Sequence, residues 1–241
     1  MNESLVKGFW TIESYRSAEV SRSAQEAFAL ALPYVQEFLC AQHPFRDGPV
    51  CPFVPSALRQ RHIFFTECAA GDTSRDHALQ VKRSIDFYLS TKGERKSFGA
   101  VIILFPHEYD YGRLGQLQFE NKEQCVRELL MLGSLFPESN SPSLRNPDYF
   151  PLRMPTPCLV IRDMVPGDIA FLDPSGYDLK KRLLFLDAFI RKFDGCSGQV
   201  GKKVEEAKAL YHAHVERLRL RRICLSAAAF ITFAATLYAL F

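Results

Sequence analysis

The stretch Phe98-Gly-Ala-Val-Ile-Ile-Leu-Phe105 decides the fold. From Ala100 onward it is apolar without a break. A strand of that composition buries both of its faces and belongs at the centre of a sheet covered on each side. Two shorter runs also read as strands, His62-Ile-Phe-Phe-Thr66 and Cys158-Leu-Val-Ile-Arg162.

The segments around them carry helical spacing. Ser21 to Gln42 places Ala24, Phe28, Leu32, Val35, Phe38 and Leu39 on one stripe, with a kink expected at Pro33. Ser74 caps a second helix that runs to about Thr91. A third spans Asn121 to Gly133 and stops at the glycine, and a fourth spans Asp178 to Phe193. Strands and helices that do not alternate regularly indicate an α+β fold, here a small, mainly antiparallel sheet flanked by helices.

Two proline-rich loops interrupt this framework. One runs from His43 to Phe53. The other runs from Leu135 to Pro157 and holds prolines 137, 142, 147, 151, 155 and 157. Loops of the second length inside a domain commonly carry function, and the apolar content of this one argues for order.

The chain has 241 residues, 47% of them hydrophobic and 24% charged, which excludes disordered and low-complexity architectures. A formal charge of +3 is too mild to indicate nucleic acid as a partner. The positive charge is also concentrated: Lys202 to Arg222 carries seven Lys/Arg against three Glu. The seven cysteines form no CxxC pair, so zinc-ribbon and zinc-finger spacings are absent, and free thiols fit a reducing cytoplasm. Met1 to Trp10 has no apolar run of signal-peptide length.

Ile223 to Phe241 is uncharged throughout. As a helix it measures roughly 28 Å, against a bilayer core of about 30 Å. Arg217-Leu-Arg-Leu-Arg-Arg222 forms a basic collar before it, which keeps the preceding chain on the cytoplasmic side. The expected organisation is a cytosolic α+β domain over 1–200, a basic juxtamembrane helix over 201–222, and a C-terminal transmembrane anchor over 223–241. The bilayer is then a partner, and Ala227, Ala228 and Ala234 would let two such helices approach as a homo-oligomer.

No P-loop, GxGxxG, GxSxG, HExxH or EF-hand pattern is present. Candidate catalytic residues therefore come from position. Cys51 lies in a loop entering a helix near Pro55–Gln60, where a thiolate would be favoured; a small buried packing residue is the alternative. His107 follows the central strand at its C-terminal end, where Glu108 or Asp110 would orient it as a base; an exposed polar turn is the alternative. Asn140, Arg145 and Asn146 are candidates for holding an anionic or amide-bearing ligand, or else for holding their own loop through local turns. Arg162 ends an apolar strand and needs an acidic partner, Asp163 or Asp168, as an ion pair or as a ligand clamp. His212 and His214, two residues apart on a helix, read as solvated or interfacial and not as a metal pair. No metal site is expected.

Several segments in order carry a resemblance. They are Cys51-Pro-Phe-Val-Pro-Ser-Ala-Leu58, Leu130-Met-Leu-Gly-Ser-Leu-Phe-Pro-Glu-Ser-Asn-Ser-Pro142, Arg145-Asn-Pro-Asp148 and Pro155-Thr-Pro-Cys-Leu-Val-Ile-Arg-Asp-Met164, followed by Asp168-Ile-Ala-Phe-Leu172. Together they resemble a bacterial family of domains of unknown function over roughly Glu37 to Leu172. More distantly the layout resembles the YqcI/YcgG family, some members of which are haem-dependent enzymes that hydroxylate a guanidino nitrogen. That likeness implies a haem near Gly133–Asn140. The chain has Phe136 where the pattern has a ligating histidine, which leaves Cys51 or His107 as axial ligand. Two functions follow as expectations. One is a membrane-tethered domain that binds a small polar ligand, with oxygenase-like haem chemistry as its enzymatic form. The other is a non-catalytic, tail-anchored sensor or effector module.

Overall fold

A computed structural model describes residues 7–69, 71–93, 98–143 and 146–238, with side chains through 221. Arg145 lies outside the described residues, as do residues 239–241 and the side chains of 222–238, where the expected anchor falls. The chain divides into two compact units, Met1–Asp163 and Met164–Phe241.

The first unit is built on four strands, β1 (Ile63–Glu67), β2 (Ala100–Leu104), β3 (Leu130–Leu135) and β4 (Cys158–Asp163). Their spatial order is β1-β2-β4-β3. β1 and β2 are parallel, and β4 runs antiparallel to both β2 and β3. The fold is α+β as expected, but the sheet is mixed. Its helices are α1 (Ile12–Tyr15), α2 (Arg22–Pro33), α3 (Val54–Arg59), α4 (Ser74–Ser90) and α5 (Tyr111–Arg127). α4 is the crossover that a parallel β1–β2 pair requires.

Side chains alternate across a strand, so β2 feeds two cores. Val101 and Ile103 pack with Val81 and Ile85 of α4 and with Leu114 and Leu117 of α5. Ile102 and Leu104 pack on the other face with Phe28, Ala31, Tyr34 and Val35. The unbroken apolar run of β2 thus reflects cover on both faces.

Local chemistry sets the helix boundaries. Ser21 caps α2 by accepting from the Ala24 amide. Pro33 has no amide hydrogen, and just after it the ladder shifts to wider i→i+5 bonding. Tyr34–Phe38 forms a π-helical turn in which the Leu39 amide donates to the Tyr34 carbonyl at 2.9 Å. α5 begins where Asp110 accepts from the Arg113 amide at 2.7 Å, well before the Asn121 start that apolar spacing indicates. It ends at Arg127 because Leu129 turns left-handed, with φ of 59°. The expected stop at Gly133 is therefore corrected: Gly133 lies inside β3, opposite Val160.

The second unit holds a 3-10 turn (Pro166–Phe171) and the helices α6 (Leu179–Phe193) and α7 (Gly198–Tyr238). Phe185, Leu186 and Phe189 of α6 are buried, as are Val204 and Ala207 of α7, and the two helices pack together. The reading of His214 as solvated or interfacial is corrected. It is 2% exposed, and its Nε2 lies 2.6 Å from Asp173 Oδ1, the same oxygen that Arg182 Nε contacts. Among the described residues no helix is long and apolar enough to cross a membrane.

Candidate functional site

Two places in the first unit bring chemistry-bearing side chains together. The first is a groove of about 680 Å³ along α2 and the π-turn, within the range of small-molecule sites. Ala29, Leu30, Pro33, Phe38, Ala41 and Pro155 give it apolar walls, and Tyr34, Glu37 and Arg153 supply its polar groups. The π-turn after Pro33 sets Tyr34, Glu37 and Phe38 along the groove. Tyr34 is buried, and its hydroxyl donates to the Pro151 carbonyl, tying the proline-rich loop to the helix. Burial pushes the phenol pKa well above its usual range, so it stays a neutral donor. Arg153 is held from two directions: Nε donates to the Ser139 carbonyl at 3.0 Å, and the guanidinium lies 4.0 Å over the Phe150 ring. One cation and one carboxylate thus stand along an apolar cleft.

The second place is the C-terminal edge of the parallel strands. Cys68 directly follows β1, and its amide donates to the Leu104 carbonyl at the end of β2. A short turn then leads to Thr73, whose hydroxyl caps α4 in a reciprocal arrangement with Asp76. This compact route returns His77, in the first turn of α4, to the strand end. Ligand atoms of Cys68, Asp72 and His77 all lie within 4.8 Å of one another. The His77 ring packs edge-on against Phe105 and Tyr109, and Tyr109 Oη lies 3.1 Å from its Nδ1. Asp72 accepts from the Ala69 amide at 2.7 Å. Burial pushes the Cys68 thiol pKa far up, reinforced by Asp72 and Glu67. Burial also lowers the His77 pKa, against the opposing pull of Asp72 and Asp76. The resting pair is a neutral thiol beside a neutral imidazole, not a thiolate–imidazolium pair.

The residues singled out in the sequence fall differently. Cys51 is half-buried; its amide donates to the Leu39 carbonyl, and it is not among the groove-lining residues. His107 and Glu108 are exposed on the turn after β2, so the exposed-turn alternative describes their position. The side chain of that turn that contacts His77 is Tyr109. Asn140 is exposed. Asn146 holds its own loop, its Oδ1 accepting from the Asp148 amide at 2.8 Å. Arg162 donates to the Asp163 carbonyl at 2.9 Å, while the Asp163 carboxylate accepts from Tyr88 at 2.6 Å. Asp168 belongs to the second unit, where it accepts from the Val165 amide at 2.7 Å and closes the 3-10 turn. Arg153, Tyr34, Cys68 and His77 carry no motif that marks them. Their only signals are the proline inside a helical stripe and a Cys at a strand end followed by a capped helix.

Haem does not fit the groove. Its lining residues include no His, Cys or Met, and its one phenol is engaged with Pro151. Phe136 stacks on Tyr111 with 4.9 Å between ring centroids and packs against the core.

No curated protein and no solved structure matches the chain. A family model, described as a domain of unknown function (DUF6875), matches residues 29–203, a span that includes the groove and the sheet-edge cluster. With nearly three-quarters of its length covered by that match, the chain belongs to the DUF6875 family.

Proposed function

We propose that this chain is a membrane-tethered domain that binds a small ligand bearing an anionic group and an apolar body, in the groove along α2 and the π-turn. The observation that carries this reading is Arg153. Its hydrogen bond to Ser139 and its stacking on Phe150 hold a cation beside an apolar wall, so little side-chain freedom remains to be lost when a carboxylate or phosphate pairs with it. Glu37 along the same groove suits a cationic group on the same ligand. The likeness to the YqcI/YcgG family enters as a shared ligand-binding layout without its haem. The tether rests on the uncharged run from Ile223 and the arginines before it.

Native mass spectrometry of the full chain, purified gently in detergent, tests the binding reading. Wild-type protein carries a small-molecule adduct, and Arg153→Glu loses it while keeping its circular dichroism. An adduct retained equally by both proteins overturns the groove assignment. A Soret band in the purified protein overturns the haem-free reading.

A further inference from the structure

We propose that Cys68, Asp72 and His77 form a binding site for a divalent transition metal of the Zn²⁺ class, separate from the groove. The three side chains come from a strand end, a turn and the first turn of a helix, so one ion would tie together β1, the turn and α4. Their ligand atoms already lie within 4.8 Å of one another. Donors around one tetrahedral Zn²⁺ stand roughly 3.3–3.8 Å apart, a little inside that separation.

The donor set selects the ion. A thiolate, an imidazole and a carboxylate suit Zn²⁺ or Co²⁺; Mg²⁺ and Ca²⁺ prefer oxygen alone. The spacing Cys-x3-Asp-x4-His is not a zinc-finger spacing, which is why a search for CxxC pairs passes over it.

The surroundings resemble the outer shell of a metal centre. The Tyr109 hydroxyl holds the His77 ring through Nδ1, so a metal taken on Nε2 keeps that contact as its outer hydrogen bond. The Ala69 amide holds the Asp72 carboxylate, and the bond from the Cys68 amide to Leu104 fixes the strand end. Phe105 walls one side of the imidazole. Cys68 and His77 are only 4% and 6% exposed, which admits a small ion more readily than an organic substrate. Asp72 is the solvent-accessible member and marks the entry. Glu67 and Asp76 add negative charge nearby, with Arg113 acting on His77 and Arg75 on Asp76. Binding replaces the S–H bond of Cys68 with a sulfur–metal bond and releases one proton to solvent. Three protein ligands leave the fourth position open to water.

The test is a Co²⁺ titration of the reduced full chain, stripped with chelator, followed by competition with Zn²⁺. The expected result is one equivalent of Co²⁺ with a sulfur-to-cobalt charge-transfer band, bleached by Zn²⁺. Cys68→Ser abolishes the band, whereas Cys51→Ser keeps it. Asp72→Asn, near the surface, weakens binding at least about tenfold without disturbing the core, which covers the case in which Cys68→Ser fails to fold. Tyr109→Phe weakens it about 10–100-fold with unchanged stoichiometry. A charge-transfer band that persists in Cys68→Ser, an affinity unchanged in Asp72→Asn, or Co²⁺ bound without the band overturns the proposal. The adduct lost in Arg153→Glu reports on the groove alone, so the two proposals fail separately.

Discussion

The Tyr109 hydroxyl lies 3.1 Å from Nδ1 of the buried His77, joining the turn after β2 to the first turn of α4. The contact fixes the orientation of an imidazole that has little water to turn to. Tyr109→Phe keeps the ring packing on Phe105 and removes only this partner. It is expected to cost about 1 kcal/mol of stability, measured by urea unfolding. An unchanged midpoint would show that water replaces the hydroxyl without loss.

In the second unit, burial alone would raise the Asp173 carboxyl pKa. Hydrogen bonds from Arg182 and His214 outweigh it and hold the group below its ordinary value of 3.8. A carboxyl with a depressed folded-state pKa contributes stability that is complete above the unfolded value and lost as pH falls through the folded one. Thermal unfolding followed from about pH 6 to about pH 2 should therefore show a loss concentrated below about pH 4. Asp173→Asn should flatten that part of the profile and lower stability at neutral pH. An acid limb that survives in Asp173→Asn would assign it to other carboxyls.

Leu129 ends α5 in a left-handed conformation, where a side chain costs roughly 1–2 kcal/mol. Leu129→Gly relieves that strain and gives up part of a half-buried side chain. The net expectation is a gain of up to about 1 kcal/mol, read from the denaturant midpoint. A loss of stability would mean that the leucine contacts outweigh the backbone term.

The tether has its own test. Full-length protein is expected in the membrane pellet, released by detergent but not by high salt, while a chain ending at Arg222 stays in the supernatant. Full-length protein in the supernatant without detergent would remove the tether and leave the groove unaffected.

Much of the sheet is legible in the chain because its strands are apolar on both faces. The runs Phe98–Phe105, His62–Thr66 and Cys158–Arg162 mark three of the strands by composition, while the parallel pairing of β1 with β2 is not legible in them. β3 is not marked in this way. Leu130-Met-Leu is followed by Gly-Ser, and it begins three residues after a helix that ends at Arg127 without a glycine stop, so helical spacing runs through it. The candidate sites were legible only in part. Position picked out the turn after β2, but the side chain that makes the contact there is Tyr109, two residues beyond His107. The short polar residues around Arg145 point to a ligand loop or to local turns, whereas the cation that lines the groove is Arg153. Tyr34 and Arg153 line one groove although they lie far apart in sequence, the Tyr34 phenol bonding the Pro151 carbonyl, and no local pattern announces that placement. Cys68 and His77 are closer in sequence, but their approach depends on a tight turn and a capped helix folding back on the strand end.

Hydrogen–deuterium exchange is the most direct test of the groove assignment, comparing the protein as purified with the same protein stripped of small molecules by unfolding and refolding. The account predicts slower exchange in the as-purified sample over residues 29–41 and 150–155, the two segments that carry the groove. Equal exchange in those segments, or protection confined to residues 68–77 and 107–110, would contradict it.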